Sequence, residues 1–155
     1  MEIRDLFIDI PLVSQINNKV IATLSDQEMV AIARDLTVRM NIGLWDAMTP
    51  IQAKQDWTAY YQELYFPDAL TESQQRTYQS TDDVNSYKYE AKSFENESVQ
   101  RENDCFIYTG ELHDSLTDSG GKETTYISLY RVWIALDSET QSFKVKKSLG
   151  VDIKR

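Results

Sequence analysis

The sequence predicts an α+β domain in which helices pack on a curved four-stranded antiparallel sheet. Apolar residues recur at helical spacing between residues 24 and 80, whereas from Val84 onward they alternate with polar ones over long runs. Because helical segments precede the strands instead of alternating with them, a βαβ enzyme fold is not expected. At 155 residues the chain is predicted to be a single domain, 1–155, with an arm (1–23), a helical layer (24–80) and a sheet (84–151).

The strongest helix signal lies at residues 25–45. Ser25 and Glu28 have the spacing of a capping box, and Leu24 and Met29 have that of a hydrophobic staple. The apolar stripe predicted to face the core consists of Met29, Ile32, Ala33, Leu36, Met40 and Leu44.

Weaker signals flank this helix. Residues 1–23 are expected to form an extended arm, because Pro11 interrupts their apolar run. The segment 41–43 ends in glycine, so the helix is expected to weaken there. A threonine–proline pair opens a second predicted helix over 49–65, and a short third helix is predicted over 70–79.

Four strands joined by short turns are predicted in the second half. Their predicted ranges are 84–100, 105–116, 123–136 and 142–151. In the first strand, Tyr89, Ala91 and Ser93 are expected to share one face, opposite a row of charged residues. Gly120 and Gly121 lie between the second and third strands and indicate a hairpin turn and not a phosphate loop.

Charge argues against a nucleic-acid partner. The formal net charge is −9, and an acidic surface repels phosphate backbones. The acidic excess lies mainly between Asp82 and Glu123, and the end of the chain is basic. Lys144, Lys146, Lys147, Lys154 and Arg155 form this basic end, which is typical of an edge strand protected by lysines and, less often, of a binding patch.

The cysteine content and the hydropathy of the sequence limit the class of protein and its cellular compartment. Cys105 is the one cysteine, so an intrachain disulfide is excluded, and its apolar surroundings indicate a buried side chain and not a nucleophile. No run of about 18 apolar residues is present, and the amino terminus does not resemble a signal peptide. The expectation is a cytosolic protein or a soluble domain cut from a longer one.

His113 is the single histidine and the obvious candidate for catalysis. Glu111, Asp114 and Ser115 are its neighbours, but alternation along a strand places Ser115 and not Asp114 on the face of His113. A surface histidine near a hairpin is therefore the favoured interpretation. One histidine and one cysteine are too few for a typical zinc site.

Acidic residues offer the remaining candidates. Asp82 with Asp83, and Asp114 with Asp118, lack the spacing of a calcium loop and are expected to be solvated turn residues. An acid–base enzyme could use the side chains of Asp46, Asp56 and Tyr60, but none has an evident dyad partner. The sequence therefore predicts no catalytic, cofactor-binding or metal-binding residue, and no cofactor.

Aromatic residues are numerous and can serve three purposes. They can fill the helix–sheet interface, line a ligand pocket, or sit at the rim of a partner interface, and the first is favoured. The set comprises Trp45, Trp57, Tyr60, Tyr61, Tyr65, Phe66, Tyr87, Tyr89, Tyr126, Tyr130 and Trp133.

Three segments carry a resemblance to a known family. The predicted architecture looks like the nuclear-transport-factor-two-like (cystatin-like) superfold, which serves enzymes and non-enzymes alike. Residues 34–42, followed by a Thr-Pro pair, resemble the first helix and its exit in the TraE group of conjugation proteins. Residues 105–112, 120–123 and 125–130 resemble the strand–hairpin–strand core of that group, which belongs with the eighth VirB component of type IV secretion systems.

This resemblance implies a non-enzymatic assembly domain of a conjugative secretion channel. Family members carry one membrane helix, place this domain in the periplasm, self-associate weakly and bind other channel subunits. The membrane helix is missing from this sequence, and the Asn-Pro-x-Gly turn of some relatives is not found. If the resemblance is false, a cytoplasmic protein is expected.

Two other functions remain open. One is a small-molecule-binding or isomerase/dehydratase-like protein of the same fold, which would need a polar hollow with His113 or a carboxylate pointing inward. The other is an acidic mobile-element protein that inhibits a host factor. The assembly-domain interpretation instead expects an interior filled by side chains, with the outer surfaces left for partners.

Overall fold

The computed structural model describes residues 20–48, 58–69 and 88–153, and it confirms the predicted α+β fold. Two helices pack on one face of a four-stranded antiparallel sheet whose order is the chain order. The elements are α1 (Asp26–Met48), α2 (Thr58–Leu64), β1 (Lys88–Arg101), β2 (Phe106–Thr117), β3 (Glu123–Asp137) and β4 (Ser142–Asp152). None of the described helices combines the length and the apolar character needed to cross a bilayer.

The start of α1 follows from its local sequence. The backbone N–H of Ser25 donates to Glu28 Oε1 at 3.0 Å, and the backbone N–H of Glu28 donates to Ser25 Oγ at 3.1 Å. Leu24 and Met29, the two staple residues, are both buried. The predicted capping box is therefore confirmed, and it satisfies N–H groups that the first helical turn would otherwise leave unpaired.

The end of α1 differs from the prediction. The helix does not weaken at residues 41–43 but continues to Met48. A Cβ atom on Gly43 would lie 2.9 Å from Cε1 of Tyr60 and 3.2 Å from Cε1 of Tyr61. Gly43 therefore lets α2 pack closely against α1, and this tertiary contact outweighs the poor helix propensity of glycine.

Several other predicted boundaries are changed or lie outside the described residues. Residues Ile21–Thr23 form a 3₁₀ turn and not extended backbone, because the Thr23 N–H and hydroxyl both bond the Val20 carbonyl. The remainder of the arm (1–19), the start of the second helix (49–57), the third helix (70–79) and the start of the first strand (84–87) fall outside the described part of the chain.

The β2–β3 turn is the predicted hairpin. Asp118 Oδ1 accepts the N–H groups of Gly120 and Lys122, each at 2.9 Å. Gly121 has a φ of +86°, a left-handed conformation that favours glycine. The turn is thus built around one aspartate and one glycine.

Irregularities in β1 change which side chains share a face. A bulge between Ala91 and Ser93 shifts the register, so Ser93 pairs with His113 and Phe94 pairs with Leu112. Ser93 consequently lies on the face opposite to Ala91, contrary to the strict alternation predicted from the sequence. A second shift follows between Glu95 and Ser98.

The core lies between the helices and one face of the sheet, which we call the concave face. Its fully buried residues include Met29 and Ile32 of α1, with Phe106, Val132 and Ile134 of the sheet. A second, smaller cluster of buried apolar residues consists of Val38, Ala91 and Leu112. The opposite side of the sheet, which we call the outer face, carries none of these residues.

One polar network ties α1 to the concave face. Arg34 Nε donates to Glu97 Oε2 at 2.7 Å, and the Tyr108 hydroxyl donates to the same oxygen at 2.7 Å. The Arg34 guanidinium also lies 5.4 Å from the centre of the Phe94 ring. The carboxylate is therefore held by two donors, as a half-buried charge requires.

Candidate functional site

An apolar strip is exposed on the outer face of β3 and β4. Its members, Leu129, Leu149 and Val151, have 36%, 52% and 63% of their surface exposed. Leu129 pairs directly with Val151, and Leu149 pairs with Arg131, one position further along the same face. Because these side chains are neighbours, they form a patch and are not scattered exposed residues.

Charged side chains lie around the apolar strip on the outer face. In the β3–β4 half, Arg131 is exposed, and Lys147 Nζ lies 4.9 Å from the centre of the Trp133 ring. In the β1–β2 half, Glu95 and Glu111 lie directly opposite each other. The apolar strip therefore has both cations and carboxylates as neighbours: Arg131 pairs with Leu149, and Glu111 pairs with Leu129.

The two glutamates form a cluster with the single histidine. His113 lies two residues beyond Glu111 on β2, and its Nε2 is 2.9 Å from Glu95 Oε2. The ligand atoms of all three residues lie within 4.8 Å of one another, so the cluster could hold a metal ion. Asn96 supports it by donating from Nδ2 to Glu111 Oε2 at 2.7 Å.

The sequence did not predict this cluster, because counting ligands found one histidine and one cysteine. Glu95 is 18 residues from His113, and only the β1–β2 register with its bulges brings the two together. Alternation along β2 did place Glu111 beside His113, and that was the available signal.

A small polar pocket opens at the other side of the sheet. Its volume is about 210 Å³, somewhat below the range of roughly 300–1,000 Å³ usual for small-molecule sites. It is lined by Asn41, Tyr89, Asp114, Leu116, Tyr126, Ser128, Tyr130 and Asp152. The expectation of an interior filled by side chains is therefore wrong at this end of the sheet, where the carboxylate of Asp114 lines a hollow.

Hydrogen bonds hold the polar groups of the pocket. The Tyr89 hydroxyl donates to Asp114 Oδ2 at 2.9 Å, and the Tyr130 hydroxyl donates to Asn41 Oδ1 at 3.0 Å. Burial, reinforced by the Asp114 carboxylate, raises the pKa of Tyr89, and burial raises the pKa of Tyr130 to about 12. Both phenols consequently remain protonated donors at neutral pH and are poor candidates for a general base.

The described residues form no hydrolase triad around His113. Asp114 lies on the concave face, on the opposite side of the sheet from His113. Ser115 shares the face of His113 as predicted, but only 1% of its surface is exposed. His113 itself is half-buried in the middle of the sheet, between Glu95 and the strand β3, and not at a hairpin.

Some of the other candidate residues have structural roles in the fold, and the rest lie outside the described residues. Cys105 is buried, as predicted, and burial raises the pKa of its thiol. Tyr60 donates from its hydroxyl to the carbonyl oxygen of Arg39 at 2.7 Å, which joins α2 to α1. Asp118 accepts bonds within its turn. The side chains of Asp46, Asp56, Asp82 and Asp83 lie outside the described residues.

The aromatic residues serve more than one purpose. Tyr61 and Tyr65 are buried in the helix–sheet core, as predicted. Tyr89, Tyr126 and Tyr130 line the pocket, and Trp133 lies on the outer face. Phe66 is half-buried beyond α2, and the side chains of Trp45, Trp57 and Tyr87 are not among those described.

Comparison with known proteins supports the fold. No family model and no curated protein matches the sequence. Among solved structures, the chain is similar to the intermembrane space region of the chloroplast protein ARC6, with a TM-score of 0.50 and 13% sequence identity. The match covers 78% of this chain and 95% of that one. At this identity the likeness extends to the α+β fold and no further.

Proposed function

We propose that this chain is a non-enzymatic protein-interaction domain whose outer sheet face binds partner proteins, including a second copy of itself. The apolar strip of Leu129, Leu149 and Val151 is the observation that carries the proposal. Most other large apolar side chains of the described residues are buried, and against that background a contiguous exposed patch is typical of a protein contact.

Self-association is one use of this face. A two-fold axis through the apolar strip would place Leu129, Leu149 and Val151 of one copy against the same three residues of a second copy. A contact between three apolar side chains of each copy is small, which fits a weak dimer.

Sedimentation velocity of the full chain tests this proposal. The weight-average mass is expected to rise from 18.0 kDa toward about twice that value as the protein concentration increases. The double variant Leu149→Lys, Val151→Lys is expected to remain monomeric. Val20→Lys is the matched control, because Val20 is 57% exposed but lies outside the sheet.

Two results would refute it. A wild-type chain that stays at the monomer mass up to millimolar concentration has no self-contact of this kind. If instead the double variant dimerises as well as the Val20→Lys control, the contact lies elsewhere.

We further propose that this interaction domain belongs to the assembly apparatus of a conjugative type IV secretion channel and lies outside the cytoplasm. The resemblance of residues 34–42, 105–112, 120–123 and 125–130 to the TraE group supports this assignment. In-cell crosslinking from position 149 is expected to capture neighbouring channel subunits as well as a second copy. Capture of cytoplasmic proteins only would contradict it.

The pocket supports a second candidate, binding of a small polar molecule in the same fold. Asp114 and Asp152 line it beside hydroxyl donors, which favours a ligand with its own donors, such as a small amine. Ligand-observed NMR against a library of small amines tests this function. Binding lost in Asp114→Asn but kept in Glu139→Gln, a change in the exposed β3–β4 turn, would support it, and a library without binders would contradict it.

The third hypothesis, an acidic inhibitor of a host factor, is supported by the net charge of −9 alone. It would be favoured by binding to a basic protein that is lost at high salt.

A further inference from the structure

We infer that Glu95, Glu111 and His113 form a binding site for a divalent transition-metal ion, for which Zn²⁺ is the best match. The ligand atoms are one imidazole nitrogen and two carboxylate oxygens, all within 4.8 Å of one another. Ligands that each lie about 2.0–2.2 Å from a zinc ion are separated by roughly 3–4 Å. The separations in the cluster, which include 2.9 Å between His113 Nε2 and Glu95 Oε2, are close to that range.

The register of the sheet gives an independent reason to expect a cation here. Glu95 and Glu111 are direct cross-strand partners, and like charges placed directly opposite each other destabilise a sheet. A bound divalent ion would turn this repulsion into shared coordination. His113 is the adjoining group, two positions along β2 from Glu111.

The histidine is not satisfied by the ion pair alone. Its Nε2 atom is buried from solvent and makes no well-aligned hydrogen bond, although Glu95 Oε2 lies 2.9 Å away. The His113 ring nitrogen lies near the Glu95 carboxylate, but the two atoms lack hydrogen-bond geometry. Such a nitrogen is suited to coordinating a metal ion that the carboxylate also binds.

The surrounding residues hold the ligands in place. Asn96 donates to Glu111 Oε2 at 2.7 Å and so fixes the orientation of that carboxylate. Asn96 itself has a φ of 53° and lies in the irregular part of β1 between Glu95 and Ser98. Hydrogen bonds that orient a ligating side chain in this way are a regular feature of metal sites.

The donor set selects the class of ion. Calcium and magnesium prefer all-oxygen sites with six or more ligands, whereas imidazole suits zinc and its neighbours. Three protein ligands leave a fourth tetrahedral position, which water can occupy.

A zinc titration followed by NMR tests the site directly. His113 is the single histidine of the chain, so the imidazole ¹⁵N signals report on this residue alone. Addition of ZnCl₂ to the full-length chain is expected to shift the Nε2 resonance, and calorimetry is expected to give one site per chain. His113→Ala, and the double variant Glu95→Gln, Glu111→Gln, are each expected to weaken binding by about tenfold or more.

Three control variants distinguish zinc bound at this cluster from zinc bound at another carboxylate, at the thiol or at a dimer contact. Glu139→Gln removes an exposed carboxylate elsewhere, and Cys105→Ser removes the buried thiol, so both are expected to bind zinc as the wild type does. The variant Leu149→Lys, Val151→Lys is expected to retain zinc even where self-association is lost. Circular dichroism establishes that each variant is folded.

The inference is overturned by either of two results. An Nε2 signal that does not move with zinc, in the folded wild-type chain, shows that the cluster is only an ion pair. Equal zinc affinity in the wild type and in the double glutamine variant shows that the ion binds elsewhere.

Discussion

The concave and outer faces of the sheet are made from the same strands but carry opposite chemistry. Phe106, Leu112 and Val132 on the concave face are completely buried against the helical side. On the outer face, Leu149 and Val151 are more than half exposed. Alternation along a strand thus buries one set of residues in the core and leaves residues of the intervening set exposed.

The pocket is the exception on the concave face. At that end of the sheet, Asp114 and Ser128 occupy positions that are apolar elsewhere, and both are buried. Their lining neighbours satisfy them, since Tyr89 bonds Asp114 and Asp152 bonds Ser128. Hydrogen bonding offsets the cost of burying these groups, which line the hollow at that end of the sheet.

The largest expected effect contrasts one residue type on the two faces. Leu112→Ala, at a fully buried position, is expected to lower the free energy of unfolding by about 2–5 kcal/mol, because it removes buried methyl groups and leaves a cavity. Leu149→Ala, at a position that is 52% exposed, is expected to change it by less than about 0.5 kcal/mol. Urea unfolding at a concentration where the chain is monomeric measures both.

Similar losses of unfolding free energy in Leu112→Ala and Leu149→Ala would contradict the contrast between the two faces. A costly Leu149→Ala in the monomer would mean that the apolar strip is covered within the chain itself. Its value as a contact surface would then be lost, along with the proposed function that depends on it.

The sequence was a good guide wherever structure depends on near neighbours. The start of α1 rests on Ser25 and Glu28, three residues apart, and the β2–β3 turn rests on Asp118 and Gly121. Both were predictable because the residues that make the hydrogen bonds lie within four positions of each other in the chain. The four strands were likewise predicted to within a few residues, since alternation is a local signal.

Features that depend on distant partners were not predictable. Gly43 is a helix residue because α2 packs against it, and propensity alone indicates the opposite. The bulge that moves Ser93 to the outer face is set by pairing between strands. The cluster of Glu95, Glu111 and His113 depends on the same register, and for that reason counting ligands along the sequence could not reveal it.

Alkaline pH offers a smaller perturbation that acts on the concave face. Within the described residues, every tyrosine of the sheet lies on that face: Tyr89, Tyr108, Tyr126 and Tyr130. Burial raises the pKa of Tyr130 from 10.0 to about 12, so the folded state favours the neutral phenol. The resulting stabilisation is fully present below pH 10 and is lost as the pH rises from 10 to about 12.

Chemical unfolding at successive pH values measures this loss. In the wild type, Tyr130 is expected to contribute a decline of at most about 1.4 kcal/mol per pH unit in that window. Tyr130→Phe is expected to be less stable by about 1 kcal/mol at pH 8, because the bond to Asn41 is lost, but to decline less steeply above pH 10. Equal slopes in the two proteins would show that the Tyr130 hydroxyl is as accessible to solvent when folded as when unfolded. The pocket would then be an open part of the surface, and the difference between the two faces of the sheet would be confined to the apolar core.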